Sequence, residues 1–349
     1  MSDNSNVTAL ISLARRLSCF FAAFLVLVVV VFSAVLLFQS NPQLFITPKP
    51  TAENWLPKSI ADALIDGFPN SEIEYGYYLV SETPTTMGPK TKDPKLHFSG
   101  NNLTCTNCHL DSGTRAGAAS WVGVRDRFPQ FDGRSNTMNN LEFRINGCME
   151  RSMDGKILPD DSREMRAIVA YMEWLSEDVP ASRRKEFEGF VKLEIPNLPV
   201  DLAKGEQLYA KECMICHGPT GQGQWKADAY KGYQYPPLWG ADSYNNGAGM
   251  HRVLTAAQFI KANMPFGNAT AANPKLTDEE AFHVAGYINS FDRPMLRDLP
   301  LDYPDKKLKP VSTPYGPWVD DFTALQHKYG PFPPIVDYYR TKYNIKKTK

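Results

Sequence analysis

Cys105-Thr106-Asn107-Cys108-His109 and Cys213-Met214-Ile215-Cys216-His217 both read C-x-x-C-H. In this pattern two thiols form thioethers to the vinyl groups of a haem, and the adjacent histidine binds its iron. One such match also suits a redox dithiol. Two in one chain, each followed by helical patterning, imply two covalently bound haem c groups, with Cys105, Cys108, Cys213 and Cys216 as anchors and His109 and His217 as iron ligands. A zinc site would need further Cys or His at ligand spacing, and the chain holds only six histidines.

Of the six cysteines, Cys19 and Cys148 remain after the haem thiols. Cys19 lies in an uncharged, almost wholly apolar run of 22 residues, 17–38, that follows Arg15 and Arg16. At about 1.5 Å per residue such a helix crosses a bilayer core, and the flanking arginines put its start in the cytoplasm. A cleavable signal has a shorter apolar region and a small-x-small cleavage site, which Leu37-Phe38-Gln39-Ser40 does not offer. The expectation is an uncleaved anchor with the remaining chain on the periplasmic side of a bacterial inner membrane; the competing reading is a soluble periplasmic protein after cleavage.

Helical periodicity fills in the fold class. Asp161-Ser162-Arg163-Glu164 opens an apolar-periodic stretch at 165–175, and Thr277-Asp278-Glu279-Glu280, with capping-box spacing, opens another at 281–291. Tyr171 and Tyr287 fall at matching places in the two stretches, as in a divergent tandem repeat. The chain is therefore expected to be mainly α, with two tandem cytochrome c-type haem domains behind an N-terminal transmembrane anchor. Its expected divisions are a cytoplasmic stub and anchor at 1–45, a catalytic domain at 46–194, an electron-transfer domain at 195–295, and a Pro-, Lys- and Tyr-rich tail at 296–349 without sustained periodicity. Trp318, Phe322, Tyr338 and Tyr339 argue that the tail packs. Lys plus Arg and Asp plus Glu balance at 38 each, so nothing points to nucleic acid.

The sixth position on each iron decides what each haem does. Met264 precedes Pro265 downstream of His217, the usual arrangement of an electron-transferring cytochrome c. Met250, His251 and His283 are its rivals. The first domain lacks such a Met-Pro turn and offers Met138, Cys148, Met149, Met153 and His97. A thiolate would be a strong iron donor and also a nucleophile toward sulfur, so Cys148 stands out; a buried inert thiol is the plain alternative. From 96 to 155 every Lys or Arg is arginine: Arg115, Arg125, Arg127, Arg134, Arg144 and Arg151. Guanidinium forks match tetrahedral oxyanions, although nearby acids such as Asp132 and Glu150 also suit plain surface pairing.

The segment Phe143-Arg144-Ile145-Asn146-Gly147-Cys148-Met149-Glu150-Arg151-Ser152, preceded by Asp132-Gly133-Arg134 and followed by Pro237-Leu238-Trp239-Gly240 and Asn263-Met264-Pro265, resembles the thiosulfate dehydrogenase family. These are dihaem cytochromes c, several of which run as tetrathionate reductases. The resemblance covers residues 57–293. It implies His109 and Cys148 on a catalytic first haem, His217 and Met264 on a relaying second haem, and substrate contacts from Arg134, Arg144 and Ser152. It also implies thiosulfate and tetrathionate as substrates, with a periplasmic or membrane electron partner such as a cytochrome c. Some members carry lysine before the distal methionine and exchange the two ligands with redox state. This chain has Asn263 there, as do members associated with stronger reductase activity, so reduction is the slightly favoured direction.

Three rival functions differ in class. A sulfur-oxidising A-type cytochrome also has a cysteine-ligated haem but hands sulfur to a carrier protein. A dihaem electron carrier would expect methionine on both irons. A dihaem peroxidase would need a histidine ligand that opens, for which His97 is the sole weak candidate.

Overall fold

The structure is a computed structural model describing residues 3–40 and 54–347. The chain divides into two units, Met1–Asn54 and Trp55–Lys349. The first contains one continuous helix, α1 (Asp3–Ser40), whose stretch Leu10–Ser40 is long and apolar enough to cross a membrane. No part of its most apolar window is buried against protein, so those side chains face whatever surrounds the helix. This helix extends beyond the expected 17–38 at both ends because no proline or glycine interrupts it.

The second unit is built from short helices around two apolar clusters. In chain order they are α2 (Ile60–Asp66), α3 (Ser71–Ser81), α4 (Thr83–Thr86), α5 (Leu141–Arg151), α6 (Arg163–Ser176), α7 (Leu202–Glu212), α8 (Met214–His217), α9 (Val253–Asn263), α10 (Asp278–Ile288), α11 (Ala324–Tyr329) and α12 (Pro333–Tyr343). Two small antiparallel hairpins accompany them: β1 (Gln130–Asp132) with β2 (Thr137–Asn139), and β3 (Gln224–Trp225) with β4 (Tyr233–Tyr235).

The tandem repeat appears as one helix crossing made twice. In the first half α3 packs on α6, and a Cβ added at Gly76 would lie 2.0 Å from the Ala167 carbonyl oxygen and 2.8 Å from Tyr171 Cβ. In the second half α7 packs on α10, and a Cβ on Gly205 would lie 2.4 Å from the His283 carbonyl oxygen and 2.8 Å from Tyr287 Cβ. Each crossing is a glycine on the earlier helix against the tyrosine-bearing turn of the later one. No larger residue fits without moving backbone.

Caps set the helix starts. Asn70, Ser162, Asp201 and Thr277 each accept a backbone N–H of their own first turn, and Thr277 and Glu280 form the reciprocal capping box. The later helix ends sooner than its periodicity predicts. It stops at Ile288, and Phe291 instead stacks on Trp239 at 4.1 Å with the rings 12° apart.

The tail departs most from expectation. It forms α11 and α12, and Val311, Phe332, Ile335 and Tyr339 enter the same apolar cluster as Tyr209, Leu254 and Phe282. The helical signal is short, with Ile335 and Tyr339 one turn apart behind Pro333 and Pro334. The flanking prolines, tyrosines and lysines of the tail mask it. His327 and Tyr339 converge on Asp320, at 2.8 and 2.6 Å, which ties both helices to the loop before them.

Candidate functional site

Helix α5 begins at Asn140, whose side chain accepts the Phe143 amide, and it buries Leu141, Ile145 and Met149. Residues four apart share a helix face. Arg144, Cys148 and the C-cap residue Ser152 therefore form one stripe, and all three line a cavity of about 700 Å³. That volume is in the range of small-molecule and cofactor sites, about 300–1,000 Å³. Cys105, Cys108 and His109 line the same cavity, as do the buried Met149 and Met153. Tyr244 and Met250, from the second half of the chain, also line it. The loop carrying Tyr244 is held against the end of α5 by Asn245, whose Nδ2 donates to the Glu150 carbonyl at 2.8 Å.

Two histidines are oriented alike. His109 Nδ1 lies 2.8 Å from the Ala119 carbonyl, and His217 Nδ1 lies 2.8 Å from the Pro236 carbonyl. A carbonyl oxygen can only accept, so each Nδ1 carries the proton and each Nε2 keeps its lone pair for a metal. The Trp121 ring backs His109 at 4.7 Å between ring centres. Burial pulls the His217 pKa down, which keeps its imidazole neutral.

The thiols in the first cavity differ sharply. Burial pushes Cys105 up to about 12 and Cys108 up to about 11. Burial also opposes the Cys148 thiolate, yet the charge of Arg144, reinforced by His109, brings Cys148 down to about 6. Arg144 Nη1 donates to Cys148 Sγ at 3.0 Å. The arrangement sets a thiol of lowered pKa beside a histidine in a cavity that two thiols of raised pKa border. Among the described residues no group of three or more His, Cys, Asp or Glu could hold a metal ion. The donors present instead suit an iron that brings its own macrocycle: Cys105 and Cys108 could tether such a group, and His109 and Cys148 could donate to its iron.

In the second half, Cys213 and the partly buried Met264 belong to one apolar cluster with Leu254 and Ile260. Met264 is the C-cap of α9, directly after Asn263. Its rivals differ in how they are held, and Met250 packs on this same cluster. His283 Nδ1 accepts the Asp201 amide at 3.0 Å, and its Nε2 faces Glu279. His251 donates from Nδ1 to the Asn246 carbonyl at 2.8 Å, the orientation that His109 and His217 also have, and burial with Arg293 drives its pKa down to about 3, so its Nε2 keeps a lone pair. Met250 lines the first cavity. Asn263 is fully buried, and its Nδ2 bridges the Gly117 and Phe259 carbonyls, both at 3.0 Å.

The rivals for the first iron also sort by position. Met138 is exposed on β2, and exposed His97 has its Nε2 on the Thr91 carbonyl. Arg134 is not brought to the cavity wall. Its Nη1 donates to Asp302 and to the Gly247 carbonyl, at 2.9 and 3.0 Å. Arg127, not singled out by the sequence, does line the cavity.

Residues 97–181 match the family described as SoxA/TsdA, cytochrome c domain, and residues 202–292 match the family described as Cytochrome c. The chain is 40% identical over 242 residues to a thiosulfate dehydrogenase of Allochromatium vinosum, covering 68% of this chain and 84% of that protein. It is 42% identical to thiosulfate dehydrogenases of Psychrobacter arcticus and Stutzerimonas stutzeri, over 59% and 58% of this chain. The matched parts span 61% and 64% of those two relatives, somewhat under two thirds of their length. Among solved structures it is similar to the thiosulfate dehydrogenase TsdBA from Marichromatium purpuratum, with a TM-score of 0.61 and 32% identity, over 71% of this chain and 51% of that one. The fold and these matches define a c-type cytochrome with two tandem domains, which implies haem c. Within that class, the chain belongs to the thiosulfate dehydrogenase family.

Proposed function

We propose that this chain is a dihaem oxidoreductase that interconverts thiosulfate and tetrathionate, with reduction of tetrathionate the slightly favoured direction. One observation carries the reading: the Cys148 thiolate is held 3.0 Å from Arg144 and turned toward His109 in a cofactor-sized cavity. A plain electron carrier has no need of a nucleophile there. In this reading Cys105, Cys108, His109 and Cys148 hold the first haem, and Cys213, Cys216, His217 and Met264 hold the second. When bound, the two haems supply one-electron seats for a reaction that moves electrons in pairs.

The protein's part follows from its residues. Cys148 Sγ attacks a sulfane sulfur of tetrathionate; a new S–S bond forms to the cysteine, the central S–S bond breaks, and thiosulfate leaves with the electron pair. Addition of two electrons to the resulting Cys148–S–SO₃⁻ adduct, in which the cysteine sulfur is bonded to the sulfane sulfur of a thiosulfate unit, cleaves the new bond. Thiolate and a second thiosulfate are regenerated, and the reverse sequence oxidises thiosulfate. Arg144 and Ser152 share the face of α5 with Cys148 and would hold sulfonate oxygens. Arg144 then has two tasks, lowering the thiol pKa and offsetting repulsion between anions. Arg134, engaged by Asp302, would contribute from behind this wall.

We further infer domains at 46–194 and 195–295, with the tail at 296–349 packed on the second. The N-terminal helix of 1–45 would hold the protein at the periplasmic side of the inner membrane, exchanging electrons with a cytochrome c or similar partner.

The direct test is an anaerobic assay of haem-loaded protein with thiosulfate plus ferricyanide and with tetrathionate plus a reduced viologen. Turnover in at least one direction is expected; inactivity in both returns the chain to the carrier class. Met264→Gly should alter the spectrum of the second haem and slow electron delivery several-fold, leaving the thiolate signature of the first haem intact. A changed thiolate signature would mean that the ligand sets are exchanged.

A further inference from the structure

Two arginines line the first cavity, and they sit on different walls. Arg144 belongs to α5 with Cys148. Arg127 ends a single 3-10 turn, Arg125–Arg127, and its Nη2 donates to the Ser120 carbonyl at 2.7 Å. Ser120 lies between Ala119, whose carbonyl takes the His109 Nδ1 proton, and Trp121, whose ring backs His109. Arg127 is thus fixed to the histidine wall, away from the proposed nucleophile. Its Nε is sealed off even with the cavity open, so a group bound in the cavity would meet the remainder of the guanidinium.

The neighbouring acids do not use up its charge. Asp126 pairs with Arg184 at 2.7 Å, and exposed Glu188 reaches Arg127 only through space. A partly buried guanidinium at a cavity wall is unfavourable unless an anion lies within its reach. Haem carries two propionate carboxylates, and planar forks bind carboxylates through paired, charge-assisted hydrogen bonds.

We propose that Arg127 is the propionate seat of the first haem, its terminal guanidinium nitrogens donating to a haem carboxylate. The inference rests on the haem assignment above and not on the sulfur chemistry. A positive charge beside the macrocycle favours the reduced iron, and the pairing keeps the propionate ionised.

The test is redox titration of Arg127→Gln holoprotein over a range of pH. At neutral pH the reduced-to-oxidised ratio of the first haem at fixed potential should fall about tenfold, equivalent to about 59 mV for one electron. The potential should also acquire a slope near neutral pH, falling as pH rises, because the unpaired propionate now protonates there. Arg127→Lys should recover most of the shift.

An unchanged, pH-independent potential with both haems retained overturns the proposal. So does a raised KM for thiosulfate at unchanged potential, which would make Arg127 a substrate contact. Should the glutamine variant load haem poorly, redox-difference infrared spectra of unmutated holoprotein with isotope-labelled propionates decide. Ionised carboxylate throughout supports the seat, and a protonated carboxyl band at neutral pH overturns it. Protein inactive toward both sulfur substrates that still shows the potential shift would refute the sulfur chemistry and leave the seat standing.

Discussion

Cys148→Met is expected to abolish turnover in both directions, by about 10⁴-fold or more, the scale of losing a nucleophile that works as a unit with its neighbours. Both haems should remain attached, because the tethers proposed for them are Cys105, Cys108, Cys213 and Cys216. Methionine fills the space of the thiolate and can still donate a sulfur lone pair, so a bound iron would keep a sulfur donor. The methyl-capped sulfur cannot form the S–S bond on which the reaction depends. The potential of the first haem should rise, since a thioether favours Fe(II) more than a thiolate does. Haem staining, a redox titration and the two-direction assay together separate these effects. Near-normal tetrathionate reduction by the variant would sink the covalent mechanism.

The residues behind that prediction were unequally legible in the chain. The two C-x-x-C-H motifs identify themselves, because the chemistry of thioether attachment fixes their spacing. Tyr171 and Tyr287 betrayed the repeat through their place in a 3.6-residue period. Their partners Gly76 and Gly205 did not, since what makes each glycine necessary is the backbone of Ala167 or His283, 91 and 78 residues away. The four-residue spacing of Arg144, Cys148 and Ser152 carries the geometry of one helix face, and α5 realises it. Arg127 was hidden for a different reason. Its neighbour is Ser120, seven residues back in a loop, and no periodicity governs loops. The tail concealed its two helices because its apolar positions are few and interleaved with lysine and tyrosine.

Arg134 exposes the limit of motif reading most clearly. The sequence puts it ten residues before Arg144, yet its guanidinium is held by Asp302, 168 residues further on in the tail. Asp302 is 6% exposed and accepts from Arg134 Nη1 and Arg151 Nη2, both at 2.9 Å, and from the Tyr315 hydroxyl at 2.7 Å. Two arginines flanking one carboxylate resemble a seat for an oxyanion, here filled from within the chain. Arg151 stands one helical turn after Cys148, so the same carboxylate braces the end of α5 against the tail. The Tyr303 amide adds to the brace by donating to the Arg134 carbonyl at 2.8 Å.

Asp302→Ala is accordingly expected to be the most destabilising single change in the tail. Removing one member of a buried ion pair leaves the others uncompensated and costs about 3–5 kcal/mol. For a unit of this size that amounts to a fall in Tm on the order of 10 °C. Asp302→Asn should cost less, because its carbonyl oxygen still accepts from one arginine. Calorimetry of the holoprotein checks the order, and a loss under about 2 °C for the alanine variant would mean that water replaces the carboxylate freely. The activity readout tests a separate consequence. Freed of Asp302, Arg134 has an empty donor near the α5 wall. If its role is to hold sulfonate, the KM for thiosulfate should move several-fold below the melting transition, with the spectrum of the thiolate-ligated haem unchanged. If Arg134 only anchors the tail, KM stays fixed while the melting temperature falls. The pair of measurements thus divides the family's substrate arginine from a structural one that happens to occupy its place in the sequence.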